Sequence, residues 1–457
     1  MFDTLILGAE VLLPEGLFRV NVGLRDGVVA VVLPAGEDAD ARERIEAVGL
    51  TLLPGAIDTH VHVRAPGFAE RGTVETETRA AAAGGVTTIL EMPVTIPTTI
   101  SVEQLRLRRE HFAARSLVNF GLYAGLGGLD GAAACALKEA GALAFKIFTT
   151  GVPPGREAEF EGLACPSEGG QYRALEAAKA AGLPLVVHCE NAGLLSLFGE
   201  RSVEADKSSA AFMELSRPAI CEAVAVAKLA VMNAEIGAKL HIAHVTSART
   251  VDVLRRFAGL CDLTAEVCPQ SLYANDADVD RVGVYGKTIP PIRGAADQVA
   301  LWNALAEGII TQVATDHAPF DAIEKAASAE NFAAAPAGVP GLEVLVPAML
   351  DAVAQGRLTL AEAWRLVSAS PAQRFGLTDR KGKIAVGCDA DLILVDRAAV
   401  TEIRGDKLET QARGAARLYE GMRFQGQVKR TIVGGKTVYL NGAITGEAGD
   451  GAFVGPE

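Results

Sequence analysis

Residues 56–63 read AIDTHVHV, an apolar, β-branched run that ends in two histidines spaced i, i+2, His60 and His62. Side chains alternate across a strand, so this spacing predicts Asp58, His60, His62 and the following Arg64 on one face of one strand end. Seven similar runs follow: VTTILEM (86–92), VNFGLYA (118–124), ALAFKIF (142–148), LPLVVHC (183–189), KLHIAHV (239–245), DLTAEVC (262–268) and IITQVAT (309–315). Ala-rich stretches with helical spacing lie between them, among them VETETRAAAAGG, QYRALEAAKAAG, AICEAVAVAKLAVMNAEIG and DQVALWNALAEG. Several end in glycine, the residue favoured just past a helix C-terminus. Eight alternations over residues 55–378 predict an α/β fold of the (β/α)8 barrel type. A doubly wound nucleotide-binding sheet is disfavoured, because no GxGxxG turn follows the first strand.

The two chain ends have a different texture. TLILGAEVLL, FRVNVGLR and VVAVVL, with a turn at Asp26-Gly27, precede the barrel, and KGKIAVGCDADLILVD and VKRTIVGGKTVYLNG, with a turn at Gly434-Gly435, follow it. These are short strands broken by turn residues. Residues 1–54 and 379–457 are therefore expected to pair as one small β-sandwich beside the barrel, the latter ending in a tail.

Composition narrows the function. With 43 Lys+Arg against 56 Asp+Glu the net charge is −13, which opposes nucleic-acid binding through phosphate attraction, and 49% hydrophobic residues oppose disorder. The 7 cysteines are scattered without a CxxC pair, as expected of thiols in the cytoplasm rather than a disulfide framework. Asp3 and Glu10 interrupt the N-terminal segment where a secretory signal would be basic and then apolar, and no apolar run reaches membrane-spanning length.

The metal-capable side chains fall at strand ends. His60 and His62 close the first strand, Lys146 the fourth, His188 the fifth, His244 the sixth, and Asp316 follows the eighth. In a parallel barrel these ends open onto one face, so six polar groups converge on one mouth. Imidazoles and a carboxylate suit zinc and related divalent ions. Lys146 sits among Leu143, Phe145, Ile147 and Phe148, where desolvation lowers an amine's pKa; the neutral amine would then take up carbon dioxide as a carbamate able to bridge two metal ions. Such a centre activates water for hydrolysis of a carbon–nitrogen bond, with Asp316 as proton shuttle. By alternation His241 is expected outside the barrel, His111 on a solvated helix, and His317 either lining the site or bonding the backbone.

This constellation resembles the amidohydrolase superfamily, in particular the cyclic amidohydrolases dihydroorotase, allantoinase and hydantoinase. The resemblance runs from PGAIDTHVHVRAPG through FKIF, VHCEN, HIAHVTS, TAEVCPQSL, GKTIPPIRG, ATDHAP and AGVPGLE to KGKIAVGCDADLILVD. It implies two divalent metals, zinc or manganese, held by His60, His62, carboxylated Lys146, His188, His244 and Asp316. It also implies a homo-oligomer, dimer or tetramer, acting on a small cyclic amide, imide or ureide. Arg64 resembles the arginine with which dihydroorotase grips a substrate carboxylate, and backbone groups near Ile289 and Ala337-Gly338 would hold the ring, with His317 a further candidate contact. Yet Val94, Gln270 and Phe320 replace polar residues of the dihydroorotase pattern, so an allantoinase- or hydantoinase-type substrate is preferred to dihydroorotate. Remaining alternatives are dihydroorotase itself, a non-catalytic binding or assembly relative, and a hydrolase of open-chain amides.

Overall fold

The structure, a computed structural model, describes residues 1–456. Among these residues eight strands, Ala56–Val61, Val86–Glu91, Asn119–Gly125, Ala142–Phe148, Leu185–His188, Leu240–Ile242, Leu263–Val267 and Gln312–Val313, form one parallel sheet in chain order. Its ends close through a parallel bridge of Val61 with His317 and a bond from the His62 amide to the His317 carbonyl (2.8 Å). The strands read as unbroken apolar runs because both faces are buried. Ala56, Ile89, Phe145, Ile147, Val187 and Ile242 meet the surrounding helices, while Ile57, Leu90, Tyr123 and Val186 fill the interior with Phe375 and Leu377 from below. This is the (β/α)8 barrel.

Local chemistry sets the helix limits. Thr73 and Thr76 form a reciprocal cap at the start of Val74–Ala83, with Glu75 and Glu77 in its first turn. The helices Glu168–Ala181 and Ala219–Ile236 end on Gly182 (φ +71°) and Gly237 (φ +74°), both in the left-handed conformation that favours glycine. No helix among the described residues is long and apolar enough to cross a membrane.

The ten strands of the second sheet come from both chain ends. The halves join where Leu392–Val395 pairs antiparallel with Thr51–Pro54, over a separate core that includes Ile6, Val11, Val22, Leu24, Leu392 and Ile432. Asp26-Gly27 and Gly434-Gly435 are two of its two-residue hairpin turns, all four residues with positive φ.

Not all of the C-terminal segment joins this sheet. Between Leu392–Glu402 and Arg423–Val433 the chain leaves to lie on the barrel, where the Tyr419 hydroxyl donates to Gln270 (2.9 Å) and the Gln270 amide donates to the Thr315 carbonyl (3.1 Å). Residues 452–454 bond the backbone of Phe120 in the third barrel strand (3.0 and 2.8 Å). Short-range patterning carries no information about such distant docking.

Candidate active site

The six groups predicted at strand ends meet at one mouth. His60 Nε2 and His62 Nε2 lie 3.2 and 3.3 Å from Asp316 Oδ1, and these three residues offer ligand atoms within 4.8 Å of one another. Across the mouth His188 Nδ1 faces His244 Nε2 at 3.1 Å, and the rings of His60 and His244 are 5.3 Å apart. Lys146, on the strand beside that of His188, is fully buried.

Strand alternation alone does not produce this convergence. Pairing of the first and second strands shifts register between Asp58 and Val61. Within this stretch Thr59 faces the interior, its hydroxyl 3.3 Å from both Glu266 and Gln312; Asp58 turns to Thr315, accepting from its amide (3.1 Å) and hydroxyl (2.5 Å). Asp58 is therefore not a fourth group on the histidine face. In the sixth strand the expectation for His241 is reversed. Ile242 packs outward and His241 lies inside, its Nε2 3.1 Å from Glu266 and its Nδ1 2.8 Å from the Thr264 hydroxyl. His244 rejoins the interior because its backbone adopts φ +38°, which breaks the alternation; Asp316 also has a positive φ, +47°. Such conformations cost non-glycine residues about 1–3 kcal/mol and concentrate at functional sites.

The electrostatics prepare these groups for cations. Burial drives His62 and His244 well below the ordinary imidazole pKa, leaving neutral rings with free lone pairs. Burial opposes ionisation of Asp316, yet His60, His62 and His244 around it hold its carboxyl below the usual carboxylate range. Lys146 is pushed down to about 8 by burial, against the opposing pull of Glu266 and Asp316. Lys146 Nζ, His62 Nδ1 and His244 Nδ1 have no hydrogen-bond partner among the described residues. Facing imidazole nitrogens, an ionised carboxylate and an unpartnered buried amine fit a divalent-ion site and leave polar groups costly without one.

Two carboxylates behind the cluster were not singled out from the sequence. Glu266 of the seventh strand is 2.5 Å from His60 Nδ1 as well as 3.1 Å from His241, which fixes His60 with its Nε2 lone pair toward the mouth. Glu190 is 2.9 Å from His188 Nε2 and pairs with Arg217 (2.5 Å). The available signal was an acid within each apolar strand end, LTAEV and VVHCE. His111 also departs from expectation: it is half-buried, and burial together with Arg108 and Arg115 lowers it to about 4.

At the rim His317 bonds the backbone rather than lining the site, so it is not the substrate contact expected of it. Its Nε2 lies 2.8 Å from Glu77 and its Nδ1 accepts from the Gly341 amide (3.1 Å), so a fully buried ring has both nitrogens engaged and none for substrate. Ile289 and Ala337 are partly exposed on adjacent segments, joined by the Gly338 amide donating to the Lys287 carbonyl (2.9 Å). Gly338 has φ +146°, and a side chain there would strike Ala318 at 2.6 Å. Val94 packs with Phe148, Phe160 and Leu163, and Phe148 stacks on His188 with ring centres 5.0 Å apart. Arg64 lies over Phe320, its guanidinium carbon 5.1 Å from the ring centre.

Residues 51–438 match the Amidohydrolase family. The chain belongs to this family. Amidohydrolases are metal-dependent, in keeping with the histidine–aspartate cluster. This amidohydrolase is 35% identical to an allantoinase of Rubrobacter xylanophilus, over 100% of this chain and 98% of that protein. It is 35% identical to a dihydroorotase of Halobacterium salinarum, over 91% and 96% of the two chains. The solved structure of an L-hydantoinase (dihydropyrimidinase) from Arthrobacter aurescens superposes with a TM-score of 0.94 at 29% identity, covering 100% of both chains.

Proposed function

We propose that this amidohydrolase opens a ring carbon–nitrogen bond of a cyclic amide, imide or ureide, with substrates of the allantoin or hydantoin type preferred. The observation that carries the reading is the fully buried, unpartnered Lys146 amine at the mouth where four imidazoles and Asp316 converge. Relatives named allantoinase, L-hydantoinase and dihydroorotase support the ring substrate.

His60, His62 and Asp316 would hold one zinc ion, His188 and His244 a second, and Lys146 both. For the last role the neutral amine attacks carbon dioxide, forms a nitrogen–carbon bond and releases a proton, leaving an anionic carbamate. When bound, the two ions supply Lewis acidity towards the ring carbonyl and acidify the attacking water. Asp316 Oδ1, beside both His60 and His62, is placed to receive the water's proton and pass it to the leaving ring nitrogen. Glu266 keeps the His60 tautomer constant during this transfer. Phe148, Phe160 and Val94 form an apolar wall that excludes bulk water.

The test is ring opening by zinc- or manganese-loaded protein over a panel of allantoin, hydantoins, dihydrouracil, cyclic imides and dihydroorotate, with matched open-chain amides as controls. Faster turnover of open-chain amides, or protein that binds no divalent metal, would overturn the assignment. Arg64 favours dihydroorotate as the second reading, and the panel decides between the two.

A further inference from the structure

Glu159 lies in a short helical turn, Glu157–Glu159, in the connection after the fourth barrel strand, and is only 3% exposed. Its oxygens accept from Arg156 at 3.0 and 2.6 Å. They also face Arg64 Nη1 at 3.9 Å and Arg71 Nη1 at 3.8 Å. Arg64 is equally buried, and Phe320 lies against both guanidinium groups, 5.1 Å from that of Arg64 and 4.9 Å from that of Arg71. Two more nitrogens of Arg71 are taken by Glu324 (2.9 and 2.8 Å). Arg64 Nε and Arg71 Nη1 have no hydrogen-bond partner among the described residues. Glu159 is the carboxylate that lies within 4 Å of Arg64, Glu91 acts on Arg64 from further away, and Glu324 is the paired carboxylate of Arg71. The next residue, Phe160, packs on Phe148, which stacks on His188. One segment thus carries both a carboxylate to Arg64 and part of the wall over the catalytic mouth.

We propose that Glu159 determines which substrates the mouth accepts, by supplying the carboxylate that neutralises Arg64 and so rejecting rings that carry a carboxylate of their own. The identity of the ring rests on the cyclic-amide reading above. A substrate carboxylate brought to Arg64 would stand beside Glu159 in a buried, weakly screened site, where like charges are penalised far more than in water. Burial opposes ionisation of Glu159, but Arg156, Arg64 and Arg71 hold it on the ionised side. A neutral ring meets no such penalty.

Glu159→Gln removes the charge while keeping the shape and an oxygen for Arg156. Titration calorimetry of metal-loaded wild type and variant with hydantoin and hydantoin-5-acetate tests the proposal, with kcat/KM measured on both. The wild type is expected to bind the acid at least about tenfold more weakly than the neutral ring. The variant should gain about tenfold on the acid while changing less than about threefold on the neutral ring, and Arg64→Met in the variant background should cancel the gain. Equal changes for both rings, equal wild-type affinities, or no binding of either ring to either protein would overturn the proposal. Should the wild type bind both rings but open neither, the catalytic reading falls and the binding contrast still decides the role of Glu159.

Discussion

Removing Glu266 tests whether the metal ligands depend on the carboxylate behind them. It is fully buried and serves four groups: His60 Nδ1 (2.5 Å), His241 Nε2 (3.1 Å), the Thr59 hydroxyl (3.3 Å) and the His244 amide (3.4 Å). Glu266→Gln keeps one acceptor, which suffices for His60 if the amide nitrogen turns to His241. The cost is then the lost negative charge, the lower end of the roughly 10–100-fold loss of metal affinity seen when such partners are removed. Glu266→Ala leaves both imidazoles without an acceptor and frees the His60 tautomer, the upper end of that range, or about 2.7 kcal/mol. Each buried nitrogen left unpartnered also destabilises the metal-free protein by about 1–3 kcal/mol. Competition against a chromophoric chelator measures affinity, and urea denaturation in excess chelator measures stability separately. An alanine variant that binds zinc as tightly as wild type would refute the idea that Glu266 fixes His60 for a metal.

Three further perturbations have defined outcomes. Asp316→Asn should lower turnover by about 10²–10⁴-fold while much of the metal remains bound, and steady-state rates near wild type would exclude proton transfer by Asp316. Lys146→Ala should abolish ring opening, with partial rescue by short carboxylic acids; full activity without rescue would show that no carbamate is needed. Glu343 is partly buried and accepts from the Glu409 and Thr410 amides, and desolvation pushes its carboxyl up from 4.5 to about 8. Because the folded state retains a proton that the unfolded chain releases, this contribution to stability is full below about pH 4.5 and is lost as pH rises towards 8. Urea midpoints for wild type and Glu343→Gln between pH 5 and 8 should therefore converge at the acid end, and a parallel pH dependence would exclude Glu343 as the titrating group.

The barrel and its six converging groups are legible from the chain because each depends on short-range information. An apolar run bounded by turns marks a strand, and a polar residue at its end marks the mouth of a parallel barrel. Two-residue turns such as Asp26-Gly27 carry their own conformational signature in the same way. Alternation, however, holds only while the strand stays regular. It misassigned His241 because the chain leaves regular β geometry at His244, and it placed Asp58 with the histidines because the first strand shifts register between Asp58 and Val61. His317 reads as a site residue by adjacency to Asp316, but Glu77, from a helix distant in sequence, claims its ring.

The sequence alone determined which atoms are available to bind metal, since that is a matter of residue type at strand ends. Only the tertiary structure decided which nitrogen of each histidine faces the mouth, and that Arg64 meets a carboxylate of its own chain. Both outcomes depend on partners brought together by folding: Glu266 lies 206 residues from His60, and Glu159 comes from the connection after the fourth barrel strand. No local pattern encodes such distances, because ion pairing and tautomer choice respond to position in space rather than to spacing along the chain.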